Sequence, residues 1–232
     1  MAPKTLKRMK PIERLSTPPD EAPLLEIGSA RALLGAVQAN AVEFHTWNAP
    51  ARTTHKPDRM TFDLDPGEGV DWPALQQAAR QVRTLLETLG LTSFLKTSGG
   101  KGLHVVVPLR RGPGTQAVKD FSHAIVAHLA SVRPEQFVAQ SGAAHRPGRI
   151  FIDYLRNGFA ATTVAAWSVR ARPGLGVSVP VAWDELTRLT GGAHWTLAGL
   201  AGRLATGNQP WEGYESARQP LGAAMRTLGF RP

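Results

Sequence analysis

Met60-Thr61-Phe62-Asp63-Leu64-Asp65, followed at once by Pro66-Gly67-Glu68-Gly69, decides how this chain is read. If the run is a strand, residues two apart share a face. Asp63 and Asp65 then project from one side, and Phe62 and Leu64 from the other. Pro66-Gly67 stops the strand. Two unpaired carboxylates at this spacing repel and raise one another's pKa. A divalent cation, which takes hard oxygen ligands, removes that penalty. A bare Asp-x-Asp is more often a solvated pair, so the reading needs support from the flanking sequence.

That support comes from the order of elements on either side. After the Asp63/Asp65 strand, Asp71 caps a helix with Pro73 in its first turn and Gly90 as its stop. Leu75, Ala78, Ala79, Val82, Leu85, Leu86 and Leu89 repeat at helical spacing. A strand is predicted over 92–96, then the glycine-rich turn Thr97-Ser98-Gly99-Gly100-Lys101-Gly102, then a β-branched strand over 103–109. Thr115 is expected to cap a second helix carrying Val118, Phe121, Ile125, Val126 and Leu129. Arg149 to Tyr154 reads as a further strand. The order β-α-β-β-α-β over about 60–155 predicts an α+β fold with a split βαβ core, ferredoxin-like or RRM-like. Its first and third strands lie side by side and its fourth flanks the first. If Leu64, Val105 and Ile152 pack under the helices, then Asp63, Asp65, His104 and Asp153 emerge together on an open face.

Outside this core the signals are weaker. Residues 1–24 read as a Pro-rich basic arm with Lys4, Lys7, Arg8, Lys10 and Arg14, and 25–232 as the folded domain. Ser29 is expected to cap a helix through Ala39 with Leu33, Leu34 and Val37 as its apolar stripe. Val42 to Trp47 alternates like a strand, with His45 and Trp47 on one face. Beyond the core, 158–168 reads as extended, 177–181 as a short strand, and 183–186, 197–204 and 221–228 as helical.

The 232 residues are 42% hydrophobic and 19% charged, and 27 Lys+Arg against 18 Asp+Glu give a formal net charge of +9. The excess favours an anionic partner, nucleic acid first. With no cysteine, disulfides, thiolate metal sites and cysteine nucleophiles are excluded. No apolar run approaches the roughly 20 residues of a membrane span, and the basic N-terminus lacks the apolar region of a secretory signal. A cytoplasmic, nucleoid-associated protein is the expectation. Three carboxylates on one face, a glycine-rich turn with a lysine, and Arg146, Arg149, Arg156 and Arg170 suggest metal-assisted phosphoryl or nucleotidyl transfer. In this reading the backbone N–H groups of the turn approach phosphate oxygens.

Asp63-Leu64-Asp65-Pro66-Gly67, Ser98-Gly99-Gly100-Lys101-Gly102-Leu103-His104 and Arg149-Ile150-Phe151-Ile152-Asp153-Tyr154-Leu155-Arg156-Asn157 resemble the three motifs of the archaeo-eukaryotic primase superfamily. They are most similar to the polymerase domain of bacterial DNA ligase D, over about Leu24 to Trp211. The resemblance implies a primase-like palm that adds nucleotides to DNA ends in non-homologous end joining, with NTP or dNTP as substrate. It implies a two-metal Mn²⁺ or Mg²⁺ site on Asp63, Asp65 and Asp153. It places His45, Ser98, Lys101, His104, Arg146 and Arg170 on the incoming triphosphate, and suggests Ku and a separate DNA ligase as partners. Two departures are expected to matter. Ala143 stands where the family has a lysine. The family's N-terminal segment, with its aromatic platform and phosphate-binding lysines, is replaced by the arm, so a shortened form is expected. A non-catalytic module binding DNA ends or nucleotide, which kept the metal site, is the alternative. A basic RRM-like binding domain without metal is a third, which leaves Asp153 unexplained.

Overall fold

The structure, a computed structural model, describes residues 13–15 and 24–231. Lys4, Lys7, Arg8 and Lys10 of the expected arm lie outside the described residues. The chain divides into two compact units, Met1–Phe44 and His45–Pro232. In the first, β1 (Glu13–Leu15) pairs antiparallel with β2 (Leu24–Glu26), so part of the stretch expected as an arm is paired. The helix α1 (Ala30–Gln38) follows, and the Ser29 side chain accepts from the Ala32 amide as anticipated. Its burial is the reverse of the expectation. Ala32, Gly35 and Ala36 are buried, while Leu33, Leu34 and Val37 are exposed. The small face is the one that is covered.

The second unit runs β3 (His45–Trp47), β4 (Arg59–Pro66), α2 (Trp72–Thr88), β5 (Phe94–Thr97), β6 (Leu103–Pro108), α3 (Thr115–Val132), β7 (Phe137–Val138), β8 (Ile150–Asp153), β9 (Thr162–Val164), β10 (Pro180–Val181), α4 (Ala201–Leu204) and α5 (Gly222–Thr227). Its main sheet has the order β10-β5-β6-β4-β8-β7, and β3 pairs with β9 in a separate small sheet. The inner order β5-β6-β4-β8 is the one the split βαβ pattern predicts, with the first and third core strands adjacent. The edges were not legible. β7 joins β8 in parallel, and β10 is only two residues of the stretch expected over 177–181.

Strand parity holds. Met60, Phe62 and Leu64 of β4, Val105 and Val107 of β6 and Ile152 of β8 are fully buried in the cluster that includes Leu75, Val82 and Leu86 of α2 and Val118, Phe121 and Ile125 of α3. Burying each such side chain contributes roughly 1.5–3 kcal/mol. α2 begins as expected, with the Asp71 carboxylate accepting from the Ala74 amide at 2.8 Å. α3 begins one residue earlier than expected. Gly114 is its cap, with extended backbone and its carbonyl accepting from Val118. The region expected as helix over 183–186 is a 3-10 turn spanning Trp183–Arg188, and α4 is a single turn. Among the described residues no helix is long and apolar enough to cross a membrane.

Past Asp153 the chain leaves the sheet in a 3-10 turn, Leu155–Asn157, which strands the outer edge of β4 at Thr61. Asn157 fills the gap with its side chain. Its Oδ1 accepts from the Thr61 amide at 2.8 Å and its Nδ2 donates to the Thr61 carbonyl at 2.9 Å. Asn48 Nδ2 donates to the same Oδ1 at 3.1 Å. A carboxamide here continues the ladder where backbone cannot. Leaving a buried donor and acceptor unpaired costs about 1–3 kcal/mol each. Asn157→Ala is therefore expected to destabilise the protein by roughly 2–4 kcal/mol, read from denaturant unfolding, whereas Leu34→Gln on the exposed face of α1 should shift stability by less than about 0.5 kcal/mol.

Candidate metal centre and nucleotide site

The register of the sheet lines up the polar face. Asp63 lies opposite His104 on β6 and opposite Asp153 on β8. His104 in turn lies opposite Lys96 on β5. Lys96, His104, Asp63 and Asp153 thus form one row across four strands, with Asp65 two residues further along β4. One carboxylate oxygen from each of Asp63, Asp65 and Asp153 lies within 4.8 Å of the others. The face is not open as expected. Asp63 is 8% exposed, Asp153 7% and His104 2%. At the β5 end of the row, buried Lys96 donates from Nζ to the Val164 carbonyl of β9 at 2.9 Å and to Ser178 Oγ at 2.8 Å.

Each carboxylate has an arginine beside it, and Asp63 also has His104. His104 Nε2 is 3.3 Å from Asp63 Oδ1. Arg156 Nε bridges Asp153 at 3.0 Å and Asp63 at 3.5 Å, and Arg146 is 3.3 Å from Asp65. Burial alone would raise Asp63, but His104, Arg156 and Lys96 hold it down at about 2. Burial raises Asp65, the Asp63 charge adds to this, and Arg146 opposes it. Burial also raises Asp153 against the pull of Arg156. Burial lowers His104, so a neutral imidazole donating from Nε2 to Asp63 leaves Nδ1 as a lone pair. That buried Nδ1 has no hydrogen-bond partner among the described residues.

The glycine-rich turn is held by its own hydrogen bonds and by a neighbouring loop. Ser98 Oγ accepts from the Gly100 and Gly102 amides, both at 3.1 Å. The Ser98 amide donates to the Gly102 carbonyl and the Gly99 amide to the Gly192 carbonyl. Four of the turn's amides, those of Ser98, Gly99, Gly100 and Gly102, thus have partners within the protein. Gly99 takes a positive φ of 68°, and Arg170 donates to the Ser98 carbonyl at 3.1 Å, which sets it beside the turn. Lys101, Ala143 and Arg146 line one cleft of about 850 Å³ together with Glu68, Gly192 and His194. Gly67 lets this cleft form, because a Cβ there would fall on the Arg146 carbonyl oxygen. His45 lies on β3 opposite Val164, the residue whose carbonyl Lys96 holds.

Lys96 was missed by sequence reasoning. Its parity opposite core residue Leu95 was a usable signal, but the register that sets it beside His104 was not. Arg156, expected to neutralise phosphate charge, lies with its guanidinium beside Asp153 and Asp63.

A split βαβ sheet with three carboxylates gathered within 4.8 Å defines a palm of the kind that can hold divalent cations. A family model described as the LigD primase-polymerase domain matches residues 1–211. The chain belongs to that family. It is 52% identical over 210 residues to the multifunctional non-homologous end joining protein LigD of Pseudomonas aeruginosa, covering 90% of this chain and 25% of the relative. It is 28% identical over 193 residues to the bifunctional non-homologous end joining protein LigD of Bacillus subtilis, covering 81% and 31%. The polymerase domain of Mycobacterium tuberculosis ligase D, solved in complex with DNA, superposes with a TM-score of 0.76 at 26% identity, over 88% of this chain and 74% of that one. The chain thus spans about a quarter to a third of the length of these curated relatives.

Burial lowers the Lys96 ammonium from its ordinary 10.5 to about 7. Between those values the unfolded chain holds a proton that the folded protein has lost, so stability rises with pH through that window. Denaturant unfolding from pH 7 to 10 should show this rise in the wild type and a smaller one in Lys96→Met. An identical slope in both would mean that Lys96 is not buried as the structure shows.

Proposed function

We propose that this chain is a metal-dependent nucleotidyltransferase that adds NTP or dNTP units to DNA ends in double-strand-break end joining. The observation that carries the reading is the triad Asp63, Asp65 and Asp153, with one oxygen of each within 4.8 Å of the others. The donors are all hard carboxylate oxygens, and two of them are buried, so a divalent cation fits the set. Mn²⁺ or Mg²⁺ would supply the charge that a triphosphate and an attacking hydroxyl require. The protein's own residues divide the remaining work. Lys101, Arg146 and Arg170 bring side-chain charge to the cleft beside the glycine-rich turn. His104, oriented by Asp63, keeps Nδ1 for a ligand. The Ser98 hydroxyl, its lone pairs held by two amides, keeps its proton to donate. His45 borders the same face through Val164. The DNA bound by the M. tuberculosis neighbour supports DNA as the macromolecular substrate. Such a protein would work in the cytoplasm, on the nucleoid, beside Ku and a DNA ligase.

Primer extension on an overhanging duplex with Mn²⁺ tests the reading. Extension by the wild type and its loss in Asp63→Ala/Asp65→Ala is the expected result. DNA binding without extension under any metal would establish the non-catalytic module instead.

Ala143 is exposed on the cleft that Lys101 and Arg146 line. Ala143→Lys is therefore expected to raise nucleotide affinity or extension rate by roughly ten- to a hundredfold, the size of a well-placed charge-assisted contact. The gain should vanish in an Asp63→Ala background. Titration of a triphosphate with Mn²⁺ checks the affinity directly.

A further inference from the structure

The loop after Asp153 carries a surface that the triad does not use. Leu155 and Phe159 are left 38% and 42% exposed. Phe159 lies flat on the exposed imidazole of His55, with centroids 4.7 Å apart and planes 4° apart. Trp47 meets Phe159 edge-on at 5.1 Å. β3 and the turn that follows it, together with the distant loop after β8, build this one cluster.

Its rim is cationic. Arg52 and Lys56 are exposed on the same turn as His55. The Lys119 side chain passes beside Gly158. The single acidic residue of the turn, Asp58, is paired with Arg59 at 3.4 Å. The cluster is also held in place. The Thr115 amide donates to the His55 carbonyl at 3.1 Å and the Asp58 amide to the Asn48 carbonyl at 3.0 Å. Arg59 donates to the Trp47 carbonyl at 2.9 Å. Asn48 Nδ2 donates to the carbonyl of Arg156, the residue whose guanidinium reaches Asp63 and Asp153. The platform therefore starts three residues beyond a group that touches the metal triad.

A flat, half-exposed aromatic pair flanked by lysine and arginine matches what single-stranded nucleic acid requires. Bases stack on the rings without regard to sequence, and phosphates meet the cations. A structural plug would be buried instead, and a purely electrostatic surface would not expose Phe159. We infer that Phe159 and His55 form a stacking platform for unpaired bases of a DNA strand approaching the Asp63/Asp65/Asp153 triad, with Arg52, Lys56 and Lys119 on its phosphates. The inference rests on the DNA-end reading given above. It concerns residues of the second unit, apart from the aromatic platform that the family resemblance attributes to an N-terminal segment.

The test is fluorescence anisotropy on the whole chain, in EDTA and without nucleotide. The probes are a labelled oligothymidylate of about 12 nucleotides, within the span of known single-strand grooves, and a blunt duplex of equal length. Phe159→Ala should weaken single-strand binding roughly tenfold and duplex binding by less than about twofold, and Phe159→Trp should restore it. Arg52→Glu/Lys56→Glu should weaken binding and lower the salt slope by about one to two. If Phe159→Ala melts early, His55→Ala, at an exposed position, carries the same expectation. Wild-type affinity in both alanine variants, or equal losses on single strand and duplex, overturns the platform. Primer extension by the wild type separates the two readings. Extension indifferent to Phe159 sinks the platform alone. Phe159-dependent binding without extension sinks the enzyme reading alone.

Discussion

Three carboxylates, two of them buried, share a small space, and this constrains everything around them. Placing Asp63 opposite Asp153, with Asp65 two residues along the same strand, concentrates like charge where solvent screens it poorly. Such charge is tolerated only if it is paired or neutralised. The protein surrounds it with His104, Arg156, Arg146 and, one strand further, Lys96. The opposed shifts follow from this. Asp63, nearest to the cations, is held low, while Asp65 and Asp153 are pushed up by burial and by Asp63 itself. A site that leaves two of three carboxylates undercompensated is poised for a further cation.

The scaffold is shaped around that need. β4 lies between β6 and β8, so it receives His104 on one side and Asp153 on the other. β8 stops at Asp153, and Asn157 takes over its pairing with β4, which frees the following loop to leave the sheet at the triad's edge. Gly67 lets the Arg146 segment cross close over the end of β4. The glycine-rich turn is satisfied by its own Ser98 and by Gly192. It carries Lys101 at the cleft, and Arg170 donates to its Ser98 carbonyl.

These parts suggest a division of labour across one face. Carboxylates sit at the end of the central strand, cationic side chains line the cleft beside the turn, and an aromatic surface begins just past Arg156. The matched stretch makes up 25% and 31% of the length of the two LigD relatives.

Much of this was legible from residue order, for a physical reason. Period-2 and period-3.6 patterns are local. They fixed β4, α2, β6 and α3 and the parity that puts Asp63, His104 and Asp153 on one face, and spacing of motifs pointed to the family. Register and coverage are not local. Which residue lies opposite Asp63, that Lys96 reaches the Val164 carbonyl of β9, that Arg156 reaches the carboxylates, and that Trp47, His55 and Phe159 converge all depend on segments far apart in the chain. The stripe of α1 shows the same limit. Periodicity identified an apolar face, but only tertiary structure determines which face is covered, because burial depends on what the rest of the chain brings to it.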